Sequence, residues 1–226
     1  MQVTNLSYFY ETARKVRGGK FVWVKDSNGE MRGNVLLGGT ILNPNKGFGH
    51  LWAAQLVEYI PSEGCKIFRS FKSFGPAIPS STRVLIAADG YSDAPEVGQV
   101  LMVAPESVDK TGQSAKVVSV EYKENNGNAY FDVTFDVVLG TVADGTILVE
   151  ADGEEASAEA EVLVKNPNTF IEADRDLMPT EGYGIENANY SISTVYNKQA
   201  WIARMQPLPT YVLAKNRSYI DGIFWI

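Results

Sequence analysis

Few residues in this chain are of a type and spacing that could do chemistry. Its single histidine, His50, lies in GFGHLWAA beside Gly49 and close to Trp52. Acyl transfer needs a nucleophile, a base and an orienting acid in one line, and no Ser-His-Asp set can be assembled around it, so His50 reads as a structural histidine beside an aromatic cluster. The single cysteine, Cys65, opens the apolar run CKIF. Being alone, it can close neither an intrachain disulfide nor a thiolate zinc cluster, and it reads as a small buried hydrophobe. Asp132 and Asp136 point to one side of the same extended segment, as a glycosidase pair would. Four residues of strand at ~3.3 Å each span about 13 Å, beyond the ~5–9.5 Å such pairs use, so both are expected to face solvent. Asp89-Gly90-Tyr91-Ser92-Asp93 resembles part of a calcium loop but lacks the full ligand pattern and its closing bidentate Glu. Asn45-Lys46-Gly47-Phe48-Gly49 is glycine-rich without the Walker spacing or a Gly-Lys-Ser/Thr ending. These residues predict a protein that is not an enzyme and takes no cofactor and no metal.

The elements that must position these residues are mostly strands. Residues 3–17 fit a short helix capped by Thr4 or Asn5, although Tyr8, Phe9 and Tyr10 would suit a strand nearly as well. Between residues 20 and 74, glycines separate short runs rich in β-branched and aromatic residues, with Asn28-Gly29 marking a hairpin turn. Residues 74–83, with Pro76 and Pro79, read as a connector. Beyond it the alternation sharpens. Ala129, Phe131, Val133, Phe135, Val137 and Leu139 are apolar at odd positions, while Tyr130, Asp132, Thr134 and Asp136 are polar or amphipathic. A period of two puts each set on its own strand face, with Phe131, Val133, Phe135 and Val137 inward. The preceding KVVSVEYK alternates too, and Asn126-Gly127 between them supplies the positive φ angles of a hairpin. Further short apolar runs at 83–88, 98–104, 145–151, 160–165 and 168–173 keep the rhythm of an all-β domain. The acidic stretch 152–161 reads as a solvated loop or a short helix.

The predicted fold is therefore mainly β, with small antiparallel barrel or sandwich domains, little helix and a β-rich C-terminal arm. Residues 1–80 form a β-rich segment for attachment or oligomerisation, 81–178 a barrel or sandwich, and 179–226 the arm. That arm is dense in apolar and aromatic groups, among them Tyr211, Ile223, Phe224, Trp225 and Ile226. Left in water such a segment would be a sticky patch, so these residues are expected to dock on the domains or on a neighbouring subunit.

Composition narrows the partners. The chain has 226 residues, 45% of them hydrophobic and 21% charged, with a net charge of −7 at pH 7. Phosphate neutralisation needs clustered Lys and Arg, so a nucleic-acid partner is not expected. No run approaches the eighteen apolar residues of a membrane span, and the first fifteen residues lack the layout of a signal peptide. Neither membrane insertion nor secretion is expected, and the Asn-X-Ser triplets at Asn5, Asn189 and Asn216 read as chance matches.

Several segments resemble a known family. They are HLWAAQLVEYIP (50–61), FRSFKSFGPAIP (68–79), VGQVLMVA (97–104), FDVTFDVVLGTVADGTILVEA (131–151) and LPTYVLAKNRSYIDGIFWI (208–226). Together they are similar to the head fibre or capsid-decorating proteins of tailed phages and prophages of the Bacteroides group. The resemblance runs over most of the chain from about Phe21 and has no catalytic signature. It implies a structural protein on the capsid surface, made in the bacterial host cytoplasm. Its implied partners are the major capsid protein and its own copies, with a trimer as the symmetric form by analogy. An alternative from the residues is a carbohydrate- or cell-surface-binding β module of a phage fibre.

Overall fold

A computed structural model describes residues 23–24, 35–45, 50–51, 55–60, 63–75, 81–92, 94–170, 175–176, 190–194, 198–200, 205–214 and 223–225. The expectations for 3–17, Asn28-Gly29, most of the connector and Ile226 fall outside these residues. In chain order the strands are β1 (Trp23–Val24), β2 (Val35–Ile41), β3 (His50–Leu51), β4 (Leu56–Ile60), β5 (Gly64–Ile67), β6 (Ser70–Lys72), β7 (Arg83–Ala87) and β8 (Val100–Val103). They continue with β9 (Ser114–Asn125), β10 (Asn128–Phe135), β11 (Ile147–Glu150), β12 (Thr169–Phe170), β13 (Arg175–Asp176), β14 (Tyr190–Thr194) and β15 (Lys198–Ala200). A four-residue helix, α1 (Thr210–Leu213), precedes β16 (Ile223–Trp225). The protein is mainly β with antiparallel sheets.

Two compact units are interleaved in sequence. The first holds Arg69–Leu163 and Gln206–Tyr211, and the second holds Gly19–Phe68, Val164–Met205 and Val212–Ile226. The sequence reading had placed three consecutive segments instead. The 74–83 connector lies within the first unit, between β6 and β7.

The first unit is a six-stranded sheet in the order β6-β11-β8-β9-β10-β7, with every pairing antiparallel. Its two edge strands meet beyond β6, where Ser73 bridges Ile86 and Phe74 N–H donates to Leu85 O at 2.8 Å. The sheet thus curls until its edges touch, which leaves less open edge to pair wrongly. Inside the curl lie Phe71, Val84, Ile86, Leu101, Val117, Phe131, Val133, Phe135, Leu139 and Leu148. Tyr122 meets Phe131 edge to face, with centroids 5.7 Å apart.

The β9–β10 hairpin is the longest ladder. Asn126 (φ 51°) and Gly127 (φ 80°) form its two-residue turn, both in the left-handed region that the mirror-image hairpin turns require. The register pairs Phe131 with Tyr122 and Val133 with Val120, then shifts between Thr134 and Phe135, so that Phe135 faces Val117. One extra β9 residue is accommodated there, a β-bulge. On β9 the inward positions change parity across it, from Ala115 and Val117 to Val120 and Tyr122, while Val118 is 48% exposed. Strict alternation could not reveal this change.

Two sequence expectations need correction here. Val137 is 38% exposed rather than inward, because β10 ends at Phe135 and the chain bends before Leu139 returns to the core. Asp132 is only 6% exposed rather than solvent-facing, because basic side chains from both flanking strands fold over it. Asp136 is exposed as expected, and its Oδ1 accepts a 2.7 Å hydrogen bond from Lys116 N–H. The acidic stretch 152–161 is a loop, tied back where Ser157 N–H donates to Ser114 Oγ and where Ala160 bridges Gly112.

The second unit contains a five-stranded sheet in the order β12-β4-β5-β2-β14 and a three-stranded sheet in the order β1-β15-β16. A two-stranded pair of β3 and β13 completes it. The pairing of β2 with β5 is parallel, and the remaining ladders of the five-stranded sheet are antiparallel. Asn43 substitutes for ladder hydrogen bonds beside β5. Its Oδ1 accepts from Ile67 N–H at 2.8 Å, and its Nδ2 donates to Ile67 O at 2.9 Å.

Candidate functional site

The five residues predicted to make one docking arm are divided between the two units. Tyr211 lies in α1, 3% exposed, in the part of the chain that belongs to the first unit. Two prolines, Pro207 and Pro209, lead into this single turn, a position where their fixed φ and missing N–H are tolerated. Ser70 Oγ on β6 donates to Pro207 O at 2.5 Å, which ties the approach to α1 to the edge of the six-stranded sheet. Met205, Leu208 and Val212 are buried as well. Ile223, Phe224 and Trp225 form β16, in the part of the chain that belongs to the second unit.

β16 adds parallel to β15, pairing Ile223 with Lys198, Phe224 with Gln199 and Trp225 with Ala200. Among the described residues it is one of the two outer strands of its three-stranded sheet, β1 being the other. An apolar outer strand has one row of backbone N–H and C=O groups available for another strand, the geometry of recognition by strand addition.

Residues that the sequence reading passed over carry the strongest electrostatics. Arg69, next to β6, is 2% exposed. Its Nε and Nη2 donate to the two carboxylate oxygens of Glu150 on β11 at 2.8 and 2.6 Å, and its Nη1 reaches Glu96 at 3.2 Å. The two-pronged match of guanidinium to carboxylate is what makes a buried pair tolerable, since each charge satisfies the other's hydrogen bonds. No sequence signal marked it, because Arg69 and Glu150 lie in apolar segments 81 residues apart.

A second cluster lies on the outer face of β7, β10 and β9. Asp132 accepts from Arg83 on one side and from Lys123 Nζ on the other, and Lys123 also reaches Glu121 at 3.0 Å. In the register Asp132 opposes Leu85 and Glu121, so both cations approach it diagonally, two residues along the neighbouring strands. The Arg83 guanidinium holds the Asp132 carboxyl below the usual carboxylate range against the opposing effect of burial, with Lys123 adding to it. In return, Asp132 raises Lys123 and Arg83 above their ordinary values. Beside this cluster Phe74 and Tyr130 stack with centroids 5.5 Å apart.

The chemistry weighed first in the sequence is placed as follows. His50 lies in β3, where it pairs with Asp176 of β13. Cys65 is buried in β5, and burial pushes its thiol up to about 12, so at neutral pH it is no thiolate nucleophile. Asp89 caps its own turn, with Oδ1 accepting from Tyr91 and Ser92 N–H at 2.8 and 2.9 Å. Among the described residues no group of three or more His, Cys, Asp or Glu could hold a metal ion. No helix among them is long and apolar enough to cross a membrane. The arrangement offers strand edges, a buried ion cluster and a charged sheet face. No protein-family model matches the chain, and neither a curated protein nor a solved structure matches it.

Proposed function

We propose that the protein is a non-enzymatic structural component of a phage virion, a head fibre or capsid decoration protein on the capsid surface. In this reading it binds the major capsid protein and its own copies. The observation that carries the reading is β16, an apolar strand that forms one edge of its three-stranded sheet among the described residues. Such an edge suits a protein whose work is to be assembled, because strand addition to a neighbour would cover it. The segments similar to head fibre and capsid-decorating proteins supply the class of assembly. The test is negative-stain imaging of particles made with and without the protein. Loss of surface projections or of capsid stability is expected in its absence, and unchanged particles would overturn the proposal.

The second reading, a carbohydrate-binding β module, draws on the stacked Phe74–Tyr130 pair beside Arg83, Asp132 and Lys123. Aromatic faces next to hydrogen-bonding groups suit sugar rings. A glycan array without signal above background would remove it.

A further inference from the structure

Asn126 occupies the first position of the β9–β10 turn, exposed, with a left-handed φ of 51°, and the residue after it is glycine. Glycine at 127 leaves its own backbone nitrogen, the one that follows Asn126, without a side chain beside it, and apart from its chain neighbours nothing lies within 4 Å of where a Cβ would stand. An Asn side-chain amide is electrophilic at Cγ, and what normally shields it from the next backbone nitrogen is the bulk of the next side chain. At this turn that shield is missing.

We propose that Asn126 is a site of spontaneous deamidation and isoaspartate formation, and that the modification acts as an ageing switch on the β9–β10 hairpin. The Gly127 backbone nitrogen, losing its proton to solvent, attacks Asn126 Cγ. A new C–N bond closes a five-membered succinimide, and the side-chain nitrogen leaves as ammonia. Water then opens the ring at either carbonyl. Attack at one regenerates the normal backbone with Asp at 126. Attack at the other leaves isoaspartate, in which the main chain runs through the former side chain. No oxidant, metal or enzyme is needed.

The hairpin gives this local chemistry a structural consequence. A two-residue loop has no slack, and isoaspartate lengthens its main chain by a methylene. The first pairs beyond the turn are Asn125 with Asn128 and Glu124 with Ala129, and the same ladder aligns Phe131 and Val133 over the core. Register in a hairpin is set by the turn, so a longer turn strains every pair behind it. Conversion to Asp alone adds a charge next to Glu124 but keeps the backbone, so it separates the effect of charge from that of geometry.

Asn125 and Asn128 are built-in controls, since they are exposed at the strand ends that flank the turn but followed by Asn126 and Ala129. The experiment ages the folded, full-length protein in mildly alkaline buffer and follows it by peptide mapping and by methyl transfer from an isoaspartate-specific methyltransferase. The expected result is one new isoaspartyl group in the peptide carrying residue 126, accompanied by the mass shift of amide to acid and by release of ammonia. Neither neighbour should react at a comparable rate, and Asn126→Gln should abolish the signal in that peptide while any signal from Asn28-Gly29 persists. The isoaspartyl protein should melt below both the fresh protein and Asn126→Asp. Folded protein that stays unmodified at 126, while the same chain reacts there in denaturant, would overturn the assignment. An isoaspartyl form that melts with Asn126→Asp would overturn the switch.

Discussion

Asp132 shows how a residue's neighbours decide its role. Alternation assigns it to the wet face of β10, and it does lie on that face, yet Arg83 and Lys123 reach across from β7 and β9 and bury it. Because its carboxyl is held below the ordinary range, the pairing stabilises the fold above the unfolded Asp value of about 3.9 and is lost as pH falls through the lower folded value. Asp132→Asn should therefore melt below the parent at neutral pH, and the gap should close on acidification; thermal melts across that range will show it. Arg69 makes the contrasting case of a charge with no sequence signature. Removing it by Arg69→Ala takes the two-pronged guanidinium from the buried Glu150 carboxylate, at a cost of about 3–5 kcal/mol, whereas replacing both with apolar residues of similar volume should cost much less. Denaturant titrations of the single and double variants measure that difference. Phe135, 2% exposed beside the bulge, should lose about 3–5 kcal/mol as Phe135→Ala. An unchanged unfolding midpoint would show that the packing assigned to it is wrong.

At the scale of elements, the β9–β10 hairpin was legible from its sequence and β16 only partly so. Alternation and Asn-Gly are local signals, written within about a dozen residues, and a hairpin is a local structure. Inward placement of Phe131, Val133 and Phe135 followed directly. The bulge on β9 did not, because strict alternation has no signal for an extra residue, and Val137 turns outward because β10 ends at Phe135 and the chain bends. The closing arm was expected to be β-rich from its apolar residues, and β16 is a short strand within it. Which strand it joins, and in which direction, came from tertiary structure, since the parallel partner β15 lies across an intervening helix in the chain. Deleting residues 221–226 is expected to lower the melting temperature or, where the protein assembles as proposed, to dissociate the assembly, as read by calorimetry and light scattering. A truncated protein that keeps both would exclude docking of this strand.

At the scale of the molecule, the 74–83 connector joins two parts of one unit, because β6 before it pairs with β11 and the Ser73–Ile86 bridge spans it. Protease nicking between residues 76 and 80 should leave fragments that co-elute in native buffer and separate only in denaturant. Two fragments that part in native buffer would show that the ladders on either side do not hold. By itself the sequence determined the all-β class, the strands of the long hairpin and its turn, and the apolar character of the closing segment. Each of these is a matter of periodicity, turn chemistry or composition, readable over a short window. Tertiary structure alone decided the interleaving of the two units, the buried Arg69–Glu150 pair and the cover over Asp132, because each depends on which distant strands become neighbours, and local pattern does not encode that choice.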